Sequence, residues 1–68
     1  IMNEIKMNIA EGTYIYSVGY DCEAQKMIIE LRNGTLYSYN NVPENVYNEM
    51  LNNDSAETYF VRNIKYEY

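Results

Sequence analysis

Tyr37 and Tyr39 stand two residues apart, and alternate residues of an extended strand point to the same side. Paired phenol rings on a strand are suited to stacking flat aromatic ligands, as in readers of single-stranded nucleic acid, at about 1–3 kcal/mol per base. The same rings could instead pack beneath helices, the commoner use of aromatic strand residues. Tyr14, Tyr16 and Tyr20 form a second stripe with the same two readings. Arg32 closes the strand before Tyr37, while Arg62 and Lys65 lie three apart near the C-terminus, a spacing that fits one helical face. Gathered by the fold, Arg32, Arg62 and Lys65 make a small anion site. Left apart, they are solvated charges or complements to a helix C-terminus.

Groups that make and break bonds are scarce. The chain has no histidine, the usual acid–base residue near neutral pH. Its one cysteine, Cys22, follows Asp21, and an acid beside a thiol with no base to activate it disfavours the thiolate. Glu30 alternates outward from a strand and reads as a solvated face residue. No phosphate-binding loop, dinucleotide fingerprint or metal-ligand spacing occurs. The expectation is a non-catalytic chain with no cofactor and no metal.

Ten acids against five bases give a net charge of −5, which argues against an electrostatic grip on duplex DNA or on an anionic membrane. A single cysteine suits a reducing cytoplasm, and there is no apolar run of bilayer-spanning length. Heavy use of Asn, Ile and Tyr suggests an AT-rich coding sequence, as in a low-GC bacterium or one of its phages. Sixty-eight residues form one small domain. Without disulfide or zinc, a core of this size supplies no more than about 3–5 kcal/mol.

The elements that must position these residues follow from periodicity. Ile5-Lys6-Met7-Asn8-Ile9 alternates as a strand or a frayed arm, so residues 1–12 are an N-terminal arm or extra strand. Thr13 to Tyr20 is β-branched and aromatic, with Tyr14, Tyr16, Val18 and Tyr20 on one face and Ile15 on the other. Gly19 inside this run marks a bulge or a close backbone approach. Met27, Ile29 and Leu31 alternate as a further strand, and Asn33-Gly34 predicts a type I′ hairpin turn into Thr35–Tyr39. Pro43 suits the first position of a helix carrying Val46, Tyr47, Met50 and Leu51 on its apolar stripe. Asp54 or Ser55 caps a second helix bearing Ala56, Phe60 and Ile64, with Glu57 placed for a capping box with Asp54. The reading is α+β: a three-stranded antiparallel meander over 13–40, four-stranded if the N-terminal segment pairs. Two short helices over 43–64 pack on one face.

The run Ile15-Tyr16-Ser17-Val18-Gly19-Tyr20-Asp21 resembles the opening of the KTSC domain, named for its occurrence at the C-terminus of some lysyl-tRNA synthetases. The likeness continues through Met27-x-Ile29-x-Leu31, Asn33-Gly34, Tyr37-Ser38-Tyr39, Val42-Pro43-Glu44-Asn45-Val46-Tyr47, Ser55, Tyr59-Phe60 and Ile64. It spans about residues 13 to 66. The chain departs from the family pattern before the second helix. An alanine-x-serine-x-glycine segment is replaced by Asn53-Asp54-Ser55-Ala56-Glu57, so Asn53 stands for the alanine and acidic Glu57 for the glycine. The resemblance implies a small domain found alone in bacterial and phage proteins as well as on the synthetase, whose context suggests RNA.

Two classes of function are therefore expected. One is a module that binds single-stranded RNA or a small nucleotide through Tyr37 and Tyr39, with Arg32, Arg62 and Lys65 as its cations. The other is a protein-interaction module or regulator whose exposed tyrosines meet a partner protein or a second copy of the chain.

Overall fold

A computed structural model of the chain describes residues 5–68. Residues 1–4 of the expected N-terminal arm lie outside the described residues.

The described residues form six elements in chain order: β1 (Met7–Ile9), β2 (Ile15–Asp21), β3 (Lys26–Leu31), β4 (Leu36–Tyr39), α1 (Glu44–Asn52) and α2 (Ala56–Asn63). The strands form one antiparallel sheet in the order β1-β2-β3-β4, so the N-terminal segment does pair and the meander has four strands. Alternation in β3 gives the sheet two different faces. Met27 and Ile29 are fully buried, and they join Val18, Tyr47, Met50, Phe60 and Ile64 in a single core between sheet and helices. On the opposite face the register aligns Ile9, Ser17, Glu30 and Leu36 in a row across all four strands, where the Ser17 hydroxyl donates to Glu30 at 2.8 Å.

The structure departs from the periodic reading of β2. Ile15 pairs with Leu31 but Ser17 pairs with Glu30, so two residues of β2 advance against one of β3. This is a β-bulge at Tyr16, and a single inserted residue reverses which side every later residue faces. Ile15 therefore enters the same core as Val18, both fully buried, rather than opposing it. Tyr14, Tyr16 and Tyr20 are not one stripe. Gly19 is the close approach and not the bulge: a Cβ there would lie 2.5 Å from Met7 Sδ and 2.8 Å from Ile5 Cγ2.

The β3–β4 turn is also of another kind. The Gly34 N–H donates to Leu31 O at 2.9 Å and the Leu31 N–H to Thr35 O at 2.8 Å, closing a three-residue loop with Gly34 at φ +90°. Asn33 does not adopt the positive φ that a type I′ turn requires, and the geometry is a type I turn followed by a glycine bulge. The glycine is needed for backbone reasons alone, because a Cβ at this position would meet nothing within 4 Å. Gly34→Ala is accordingly expected to cost about 1 kcal/mol from the left-handed backbone, read as a lower urea midpoint with an unchanged slope.

At α1 the expected start shifts by a residue, whereas α2 takes the second of its two expected caps. Pro43 is the N-cap of α1, with ψ 147°, and the helix begins at Glu44. Ser55 caps α2, its Oγ accepting the Thr58 N–H at 3.2 Å. Asp54 forms no capping box with Glu57, because the Glu57 side chain turns away from its own helix toward the segment before β2.

Candidate functional site

Tyr37 lies opposite Ile29 and Tyr39 opposite Met27, so both rings share the face that the helices cover. Their environments differ. Tyr39 is half-buried and meets Phe60 edge-on, with ring centroids 5.5 Å apart and an interplanar angle of 73°. Tyr37, nearer the start of β4, is 51% exposed. The two readings of this pair therefore divide between its members, Tyr39 packing against the core and Tyr37 presenting its ring.

A cleft of about 260 Å³ opens beside them, lined by Tyr14, Ile29, Leu31, Tyr37, Tyr39, Phe60 and Lys65. Tyr14 reaches it from the segment just before β2, where its carbonyl accepts the Arg32 N–H at 2.9 Å. Lys65 arrives from the turn after α2, held by its N–H to Phe60 O at 2.9 Å, and its Nζ lies 5.4 Å from the Tyr66 ring centroid. Burial is the main cause that raises the phenol pKa values of Tyr14 and Tyr39, assisted at Tyr14 by Glu57 and opposed at both by Lys65. Both rings are neutral at physiological pH, and Lys65 supplies the charge among the residues lining this cleft.

Tyr14 also lines a neighbouring cavity of about 400 Å³ with Thr13, Ser55, Glu57, Thr58, Val61 and Arg62. Glu57 is anchored there by three consecutive backbone donors. Its Oε1 accepts the Thr13 N–H at 2.7 Å, and its Oε2 accepts those of Tyr14 and Ile15 at 2.7 and 2.8 Å. Partial burial disfavours the charged carboxylate, but the bonds from Tyr14, Ile15 and Thr13 outweigh it and hold the pKa below its ordinary value. Gly12 makes this approach possible, since a Cβ there would overlap Glu57 Cδ.

The structure thus brings Tyr37, Tyr39 and Lys65 to one cleft and adds Tyr14 from the second stripe. Arg62 lines the cavity on the other side of Tyr14. Arg32 does not join these cations: its Nε donates to Gly12 O at 2.8 Å, bracing the loop before β2. Tyr20 leaves the stripe to stack on Tyr47, centroids 5.0 Å apart, and its hydroxyl donates to Val42 O. Tyr16, at the bulge, is 42% exposed and lines neither cavity. Among the described residues no cluster of three or more His, Cys, Asp or Glu could hold a metal ion, and no helix is long and apolar enough to cross a membrane. Sequence reasoning missed Phe60 as the ring that props Tyr39 and Glu57 as the residue that fixes Tyr14. The departure at position 57 was the available signal for the second.

Comparison with known proteins agrees with this architecture. The family profile of the KTSC domain matches residues 11–68. The crystal structure of a KTSC domain protein from Yersinia pestis superposes with a TM-score of 0.88 at 25% sequence identity, covering 94% of this chain and 90% of that one. A search of curated proteins finds no match.

Proposed function

This chain belongs to the KTSC domain family, and within it we propose a non-catalytic binding module that holds a nucleobase in the Tyr14–Tyr37–Tyr39 cleft. The observation that carries this reading is the convergence of three phenol rings and Lys65 around one opening whose floor is Ile29, Leu31 and Phe60. An apolar floor with a few convergent polar groups is the usual make-up of a small-molecule site. Tyr37 supplies an exposed face for stacking. The phenols of Tyr14 and Tyr39 are neutral donors, and Lys65 is placed to meet a phosphate or a base carbonyl. About 260 Å³ suits a base or nucleoside rather than the larger ligands of 300–1,000 Å³ pockets. The net charge of −5 favours a mononucleotide or a short single strand over a long polyanion. Action in a reducing cytoplasm fits the exposed, unbridged Cys22.

Tyr37→Ala tests this without disturbing the core. Loss of one stacking surface, about 1–3 kcal/mol, is expected to weaken mononucleotide binding roughly 5- to 150-fold in calorimetry, while the thermal midpoint stays near that of the wild type. Equal affinity in the two proteins would remove the platform.

The other face of the sheet favours a second reading. Ile9 is 58% and Leu36 64% exposed in the row that crosses it, a surface suited to a protein contact. Leu36→Asp would weaken such a contact and leave nucleotide binding intact.

A further inference from the structure

We infer that the backbone N–H groups of Thr13, Tyr14 and Ile15 form a phosphate subsite beside the aromatic cleft, and that Glu57 occupies it as a tethered competitor. The subsite deepens the proposed nucleobase reading, but it stands on separate contacts.

Three consecutive N–H groups that converge on one anion make a concave amide nest of the kind that takes phosphate or carboxylate. A strand in regular pairing cannot point successive N–H groups at one acceptor, because they alternate in direction. Here the segment before β2 is bent, with the Gly12 N–H bonded to Ile15 O at 3.0 Å and the Gly12 carbonyl braced by Arg32. The anion now in the nest is the Glu57 carboxylate, whose pKa the three donors hold below its ordinary value against the opposing effect of burial. Gly12 leaves space for that group, since a side chain there would strike Glu57 Cδ.

Among the described residues lining the cavity, the charged ones are Glu57 and Arg62. Removing Glu57 leaves Thr13, Tyr14, Ser55, Thr58 and Arg62 around one space, with the Thr13, Tyr14 and Ile15 N–H groups released from the carboxylate they now share. The N–H donors and Arg62 favour an anion there, while Glu11 and Asp54, which line the adjoining pocket with Thr13 and Ser55, oppose a second negative charge. Tyr14 lines both this cavity and the aromatic cleft, so a base on one side and a phosphate on the other would be bridged across a single residue. The carboxylate on its short side chain acts at an effective concentration of millimolar or higher, so free phosphate at millimolar levels does not displace it. Glu57 is thereby a specificity-determining residue: with it in place this subsite adds nothing to the discrimination of a nucleotide from its nucleoside, which is left to Lys65 in the cleft.

The test compares wild type with Glu57→Ala by amide NMR, adding inorganic phosphate, adenosine and adenosine monophosphate in turn against chloride at matched ionic strength. The expected result is that phosphate moves the Thr13, Tyr14 and Ile15 amides of the variant and leaves those of the wild type in place. Phosphate affinity should rise about 10-fold or more on removal of the tethered competitor, and the preference for the monophosphate over adenosine should be larger in the variant than in the wild type. Unmoved Thr13–Ile15 amides in a folded variant would overturn the subsite. If the variant is unfolded in chloride, phosphate should raise its thermal midpoint above the matched chloride control, and equal midpoints would overturn the inference as well. Phosphate binding to the variant without adenosine binding to either protein would keep the subsite and dismiss the nucleobase reading.

Discussion

Phe60→Ala is expected to leave the chain largely unfolded at 25 °C. Phe60 is 4% exposed, sits in the core with Met27, Ile29 and Met50, and holds the edge of Tyr39. Truncating a buried phenylalanine costs about 3–5 kcal/mol, through lost transfer energy and the cavity left behind. A domain of this size has about 3–5 kcal/mol in total, so one such cavity consumes nearly all of it. Collapse of amide dispersion and loss of the cooperative urea transition are the expected readouts. Tyr66→Ala is the control, because at 82% exposure Tyr66 should change stability by less than about 0.5 kcal/mol. A folded Phe60→Ala protein with a near-wild-type urea midpoint would show that α2 does not close the core.

The second large effect lies at Glu57. Glu57→Ala removes the acceptor of three backbone donors and unties the start of β2 from α2. Hydrogen bonds to a charged group contribute about 1.5–3 kcal/mol when shielded, and solvent screening at exposed Thr13 and Tyr14 lowers the expectation to about 1–2 kcal/mol for the set. Gly12→Ala should cost a similar amount, because its Cβ must expel the same carboxylate. The double variant should then be little worse than either single one. The contribution depends on pH in a definite sense. The folded-state pKa lies below the ordinary value of 4.5, so the stabilisation is complete above that value and is lost as pH falls through the lowered one. The stability gap between wild type and Glu57→Ala should be full at pH 7 and close progressively below about pH 4.5. A gap that stayed constant into acid would mean the carboxylate charge contributes nothing.

Much of this architecture is legible in local pattern. Alternation of Met27, Ile29 and Leu31 predicts β3, and the stripe Val46, Tyr47, Met50 and Leu51 marks α1, because burial on one face imposes those periods, although Leu51 at the edge of that stripe stays exposed. Ile64 follows Phe60 by four residues and is buried in the same core, although it caps α2 rather than lying inside it. What local pattern does not carry is register. The bulge at Tyr16 is set by pairing with β3, and a period-two reading has no means of inserting a residue. It therefore assigns Ile15 to the wrong side and strings Tyr14, Tyr16 and Tyr20 into a stripe that does not exist. Asn33-Gly34 locates its turn correctly yet leaves the type open, since one glycine at positive φ serves two hairpin geometries.

The site was partly legible for the same reason. Tyr37 and Tyr39 share a face because a regular strand requires it, and Lys65 joins them through the packing of Phe60 beneath. Tyr14 and Glu57 are 43 positions apart, and only the assembled sheet and helix bring the Tyr14 N–H to Glu57 Oε2. Arg32 and Arg62 are matched in charge but committed to different places, one to the loop before β2 and the other to the cavity beside Tyr14, a separation that composition does not encode.

The most direct test of the nucleobase cleft is an amide NMR titration of the labelled wild-type chain with mononucleotides, at low and at physiological salt. The expected result is a saturable set of shifts at Tyr14, Ile29, Tyr37, Tyr39 and Lys65 that persists at physiological salt, because stacking responds little to screening. Spectra that do not change, or shifts confined to the Ile9 and Leu36 face of the sheet, would contradict it.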